Sequence, residues 1–258
     1  MFENAYLSID RATECITQLN ELFREHRPFS YVLETNTETG QRATFAKKNK
    51  PIIDRAAIIA RDAVHTLRVA LDYTYWEITS PFAKTAKEKR AVQFPFCERA
   101  NGLNEAVKNR LANRVSQRFF DAIIGLKPYG EPGGNTLLYL IHSMDVPNKH
   151  RFPPPTGDYT RISSEIIRWQ VPDFPSGLVD NCFGQNHRDV VWYNRHVDPS
   201  ELGIAQPPTT NIFEKELDVP VDIIFVVTEP DYRGPVIPTI NEFVDVTKKT
   251  IAIMKSAI

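Results

Sequence analysis

Between Arg55 and Ile78 the apolar residues recur with the period of an α-helix. At 100° per residue, Ile53, Ala56, Ala60, Ala63, Val64, Leu67, Ala70, Leu71 and Ile78 share one broad arc. Arg55, Asp62, Thr66, Tyr73 and Glu77 fall nearly opposite, the side expected to meet water. A third stripe runs between the two, made of Arg61, His65, Arg68 and Asp72, spaced four, three and four residues apart so that each stacks on the next. The stripe continues above and below as Ala57, Ile58, Tyr75 and Trp76, which makes the four polar residues an island on an otherwise packable surface.

The rest of the chain yields further elements. Tyr6, Ile9, Ile16, Leu19 and Phe23 give a helix over residues 2–26, stopped by Pro28. Residues 30–46 alternate Val, Thr, Tyr and Phe with polar residues around Glu38-Thr39-Gly40, the pattern of a β-hairpin. Pro51 opens the long helix and Pro81 follows its end. Residues 82–98, with Phe94-Pro95-Phe96, read as an extended connection packed under the helices, and residues 99–124 as helix with a break near Asn113, Phe119, Ile123 and Ile124 lying on its apolar side. Asn135 is placed to cap a short helix, TLLYLIHSMDV, that Pro147 ends. Beyond Arg151 the segment PPPTGDY reads as a linker or surface loop; Thr160–Val171, Asp189–Tyr193 and Val221–Val227 read as strands, Pro199–Thr210 as a loop, and Pro238–Ile258 as a closing helix with Phe243, Val244, Thr247, Ile251 and Met254 inward. The expected fold is α+β: a helical core over residues 1–151 that includes the hairpin, and a β-rich tail over 152–258 whose final helix packs back, the two parts forming two domains or one.

Composition narrows the function classes. At 258 residues, with 42% hydrophobic and 24% charged residues, the chain has the make-up of a soluble globular protein. A formal net charge of −1 supplies no global field for nucleic acid, so any such contact has to come from a local patch. No run approaches the ~20 apolar residues of a membrane span, and the first residues lack a secretory pattern. Cys15, Cys97 and Cys182 lie far apart with no C-x-x-C pair, which suits free thiols in a reducing cytoplasm. P-loop, G-x-S-x-G, G-x-G-x-x-G and H-E-x-x-H motifs are absent, and no cofactor is expected.

The second polar cluster is His142-Ser-Met-Asp145-Val-Pro-Asn148-Lys149-His150-Arg151. His142 and Asp145 are three apart on one helical side, and the basic residues after them sit where cations complement a helix C-terminus. Buried polar groups left unpartnered cost ~1–3 kcal/mol each, so the long helix and the short one are expected to pack side by side, with His65, Arg68 and Asp72 facing the segment His142–Arg151.

The pattern Asp62-x-x-His65-x-Leu67-Arg68-x-Ala70-Leu71-Asp72, followed by Asn148-Lys149-His150-Arg151, resembles a family of bacterial and phage-encoded proteins without an assigned activity. More distantly the paired helices resemble HEPN domains, many of which are metal-independent ribonucleases built on an arginine, four to six residues, and a histidine. Here three residues separate Arg61 from His65. The resemblance implies an RNA-directed role. Histidine titrates near neutral pH, so His65 or His150 would move the 2′-hydroxyl proton, Arg68 and Arg151 would hold the phosphate, and Asp72 would orient a ring or an arginine. Arg61, His142, Asp145, Asn148 and Lys149 are the accompanying binding candidates.

Two other readings stand beside this one. Asp62-x-x-His65 with His142-x-x-Asp145 loosely resembles a helical-bundle metal site, although the arginines repel a cation. Alternatively the island only fastens the helices together and the tail binds a protein or peptide; there His187, Arg188, Trp192, Tyr193, Arg195 and His196 form an aromatic–basic stretch suited to grip a ligand or single-stranded nucleic acid, or simply belong to a two-sided strand.

Overall fold

The computed structural model describes residues 2–36, 41–145, 155–158, 164–172, 189–193, 212–219, 221–228 and 230–258. It is an α+β protein whose chain divides into two compact units, Met1–Arg24 with Asp54–Pro155 and Phe225–Ile258, and Glu25–Ile53 with Thr156–Ile224.

The first unit is helical. Helix α1 (Glu3–Glu25) buries Ala5, Ile9, Ala12, Cys15, Ile16, Leu19 and Leu22 along one stripe. Helix α2 (Lys50–Thr79) is the longest, with Pro51 in its first turn, where a missing N–H leaves no bond unmade. Every residue of its expected apolar arc is buried, from Ile53 to Ile78. Four of them are alanines, which leave room for neighbouring segments to approach closely. Tyr75 is fully enclosed; it meets Phe94 edge-on at 6.0 Å and donates its hydroxyl to the Arg110 carbonyl at 3.0 Å.

After a short 3-10 turn at Ser80–Phe82 comes α3 (Ala86–Ala91), which begins on a reciprocal cap between Thr85 and Glu88. A connection expected to be extended throughout residues 82–98 therefore contains a helix. The helical stretch after residue 99 is broken twice, into α4 (Ala100–Asn109), α5 (Ala112–Val115) and α6 (Gln117–Gly125). Leu111 turns the chain in the left-handed region at φ 68°, and Ser116 restarts it by accepting the Phe119 N–H at 2.9 Å. Helix α7 (Thr136–Asp145) starts on Asn135, whose side-chain oxygen accepts the Leu138 N–H at 3.1 Å.

The second unit holds β1 (Phe29–Asn36) and β2 (Gln41–Lys48), paired antiparallel with Val32 opposite Phe45. The residues of their expected turn, Glu38-Thr39-Gly40, lie outside the described residues. Between Thr156 and Ile224 come β3 (Thr156–Asp158), α8 (Ser164–Arg168), β4 (Asp189–Tyr193) and β5 (Ile212–Leu217). The sheet order is β4-β2-β1-β5, so the hairpin forms the middle of a sheet whose edges come from the tail. This replaces the expected grouping of the hairpin with residues 1–151. Strand β3 pairs with the start of β6 (Asp222–Val227), Thr156 opposite Ile224. In the described part of the expected strand Thr160–Val171 the chain forms α8 instead, and Ile167 on it and Val171 just past its end pack with Tyr31, Leu33, Leu217 and Val219.

Strand β7 (Tyr232–Pro235) then leads into α9 (Val236–Ser256), two residues earlier than its expected start at Pro238. Pro238 falls in the first turn, where its missing N–H has no intrahelical partner to lose. Phe243, Val244, Thr247, Ile251 and Met254 are all buried, and α9 packs on α6 and α7. Cys15 and Cys97 are free thiols; Cys182 lies outside the described residues. Among the described residues no helix is long and apolar enough to cross a membrane.

Replacing Asn135 with Ala removes the cap that starts α7. Urea denaturation is expected to show a loss of about 1 kcal/mol with an unchanged m-value, and an unaltered midpoint would show that α7 does not depend on that cap.

Candidate functional site

Helices α2 and α7 meet through their polar side chains in two rungs. His65 Nδ1 lies 2.8 Å from Asp145 Oδ1, and Arg68 Nη1 lies 2.5 Å from His142 Nδ1. Stepping forward three residues on α2 steps back three on α7, the register of antiparallel neighbours. The expected meeting of His65 and Arg68 with the His142 cluster is thus realised at both rungs.

The rungs differ in environment. Arg68 is only 6% exposed. Its guanidinium lies 4.7 Å from the centre of the Phe96 ring, and Phe96 stacks on His142 with planes 5° apart and centres 4.7 Å apart. Arg68 Nε is 3.4 Å from Asp72 Oδ2, an ion-pair distance off the line of a hydrogen bond. Asp72 Oδ1 in turn accepts the Phe94 N–H at 2.8 Å. In this half of the row the guanidinium and the carboxylate face each other, and Phe96 covers Arg68 and His142.

Arginine only donates, so His142 Nδ1 must be its acceptor, which fixes the neutral ring with its proton on Nε2. Burial and then the adjacent Arg68 charge push His142 down to about 4. Burial raises Asp72 above the usual carboxylate range, against the opposing pull of Arg68 and the Phe94 N–H. Arg110, also close enough to feel Asp72, is lowered by burial, and its Nε has no hydrogen-bond partner among the described residues.

The other rung is open. The His65 side chain is 55% exposed, while Asp145 is 12% exposed. A carboxylate only accepts, so the His65 proton on this side sits on Nδ1, and the neutral ring presents the Nε2 lone pair on its far edge. Arg61, one turn earlier, is 46% exposed and lies 3.5 Å from Asp62. An oriented imidazole with a cation one turn away can accept a proton beside a bound anion.

Of the residues expected to form one site, His65, Arg68, Asp72, His142 and Asp145 come together, Arg61 stands next to them, and Asn148, Lys149, His150 and Arg151 lie outside the described residues. The sequence reading did not assign Phe96 or the Phe94 N–H a part, although Phe94-Pro95-Phe96 was placed under the helices. Among the described residues no three His, Cys, Asp or Glu side chains gather as metal ligands. Neither a family model nor a curated protein nor a solved structure matches the chain.

The depressed His142 has a consequence for acid stability. The unfolded chain binds a proton at His142 below about 6.5 while the folded one resists until about 4. Stability is therefore lost as pH falls through that window, by up to roughly 3 kcal/mol from this group. The raised Asp72 has the opposite sign, since the folded state takes up its proton first on acidification. His142→Gln keeps an acceptor for Arg68 and removes the titration. Its melting temperature is expected to fall less than that of the parent between pH 6.5 and 4; parallel curves would contradict the buried neutral ring.

Proposed function

We propose that this protein is an RNA-directed, metal-independent ribonuclease of the HEPN-like kind, with His65 as its proton-transfer group. The observation that carries the reading is the His65–Asp145 pair: a 2.8 Å contact that orients an exposed imidazole on a partly buried carboxylate. His65 Nε2 takes the proton from a ribose 2′-hydroxyl. The 2′ oxygen attacks the adjacent phosphorus, the bond to the 5′ oxygen breaks, and that oxygen leaves with a proton from water, giving a 2′,3′-cyclic phosphate and a 5′-hydroxyl. Arg61 offsets the charge growing on the phosphoryl oxygens. The buried Arg68 supports the site instead of touching substrate, which separates it from the phosphate-holding part expected for it, and Asp72 beside it fits the expected part of orienting an arginine. Free Cys15 and Cys97 fit work in a reducing cytoplasm.

A second reading rests on the Arg68–His142–Phe96 stack, whose closure suits a purely structural fastening in a protein- or peptide-binding module.

Incubation with a mixed RNA pool separates the two. Cleavage that persists in chelator is expected. His65→Gln should lower it about a hundredfold or more, with the melting temperature nearly unchanged because the ring is exposed. Asp145→Asn should lower it less, by misorienting the ring. RNA left intact under all conditions would overturn the ribonuclease reading, and chelator-sensitive cleavage would move it to a metal-dependent one.

A further inference from the structure

The exposed stripe of α2 that carries His65 runs on into a groove of about 550 Å³, lined by Val69, Asp72, Tyr73, Trp76 and Glu77 of α2, by Asn4 of α1, and by Val92 and Gln93. His65, Val69, Tyr73 and Trp76 fall on one side of the helix. Val69 is about 6 Å and Tyr73 about 12 Å along the axis from His65. Tyr73 and Trp76 are 43% and 48% exposed, unusually open for aromatic residues at the edge of a packed helix. Among the described residues lining the groove there are two carboxylates and two side-chain amides, with no lysine or arginine.

We propose that this groove is a nucleobase subsite that takes a guanine of the RNA strand next to the bond cut at His65. The inference rests on the ribonuclease reading for its placement and on the groove itself for its chemistry. A groove with aromatic walls and no cation suits a base and not a phosphate, since stacking on Trp76 or Tyr73 needs only a flat π-face. The carboxylates select among bases. Guanine presents two adjacent N–H donors, N1 and N2, that match one carboxylate. Adenine and cytosine set an acceptor beside their amine, which repels it, and uracil flanks a single N–H with two carbonyls.

Glu77 is the better placed reader. Its Oε2 accepts the Phe2 N–H at 2.7 Å, and a carboxylate has further acceptor positions. Asp72 has one oxygen on the Phe94 N–H and the other toward Arg68, so it bounds the groove as a fixed wall. Asn4 and Gln93 bring the amide donors that the guanine O6 needs.

The test uses the full chain with guanosine, adenosine, cytidine and uridine, which carry no phosphate, and with arginine amide as a probe for an organic cation; binding is measured by calorimetry. Guanosine is expected to bind best, and Trp76→Ala and Glu77→Gln to weaken it about tenfold or more. Glu77→Gln keeps an acceptor for the Phe2 N–H and Trp76 is half exposed, so both variants are expected to keep the parent melting temperature. No preference for guanosine, an equal affinity in both variants, or preferential binding of arginine amide would overturn the subsite. Guanosine binding without RNA cleavage would leave the groove standing and remove the His65 reading. Cleavage indifferent to guanine near the cut, with no nucleoside bound, would do the reverse.

Discussion

The constraint on which the first unit depends is the burial of one guanidinium. Arg68 sits at 6% exposure beside a helix arc of alanines, valine and leucines. A charge removed from water is tolerated only when partners surround it, and removing one partner from such a pair typically costs 3–5 kcal/mol. The partners come from separate parts of the chain: His142 from α7, Asp72 from the next turn of α2, and Phe96 from the connection after α3. Asp72 also holds the Phe94 backbone. One buried cation thereby fixes α7 and the Phe94–Phe96 segment against α2, and does so with directional contacts that apolar packing alone does not supply.

Helical geometry decides which polar residue becomes structural and which stays available. Taking the buried arc of α2 as reference, His65 lies about 60° further round from the core than Arg68, since three residues at 100° fall short of a full turn by that amount. The same row of side chains therefore tilts from wet to dry. Arg68 is drawn under Phe96, Asp72 stays at the margin and His65 faces water. The dry rung sets the antiparallel register of α2 and α7, and that register brings Asp145 to His65. An exposed imidazole held by a partly buried carboxylate on a packed helix pair keeps its geometry between encounters.

What could be read from the sequence follows the range of the signals involved. The apolar arc of α2, the Asn135 cap and the inward residues of α9 are local, periodic signals, and the structure has them where the pattern put them. The union of the hairpin with the tail strands was not legible, because β1 pairs with β5 across more than half the chain and alternation does not name a partner. Helix α3 had a signal that went unused: Thr85 followed three residues later by Glu88 is a capping box. Helix α8 had none of that strength. Its segment is rich in isoleucine, and the turn it makes brings Ile167 of α8 and Val171 beyond its end to one core, a tertiary demand that overrides β propensity. At the site, spacing predicted the joining of the two clusters, but not that Phe96 would cover one rung and leave the other open.

Asp72 is where the buried network and the groove share an atom set. One carboxylate holds the Phe94 N–H, faces Arg68 and forms part of the groove wall. Burial already disfavours its charge, and Arg68 is the main influence that keeps the charged form accessible. A ligand donating hydrogen bonds into the groove would add to that influence, stabilise the carboxylate and tighten its hold on Arg68. Arg68 is joined to His142, one turn from Asp145 on α7. The contacts Asp72–Arg68–His142 thus lead from the groove wall to α7, the helix that carries the Asp145 partner of His65.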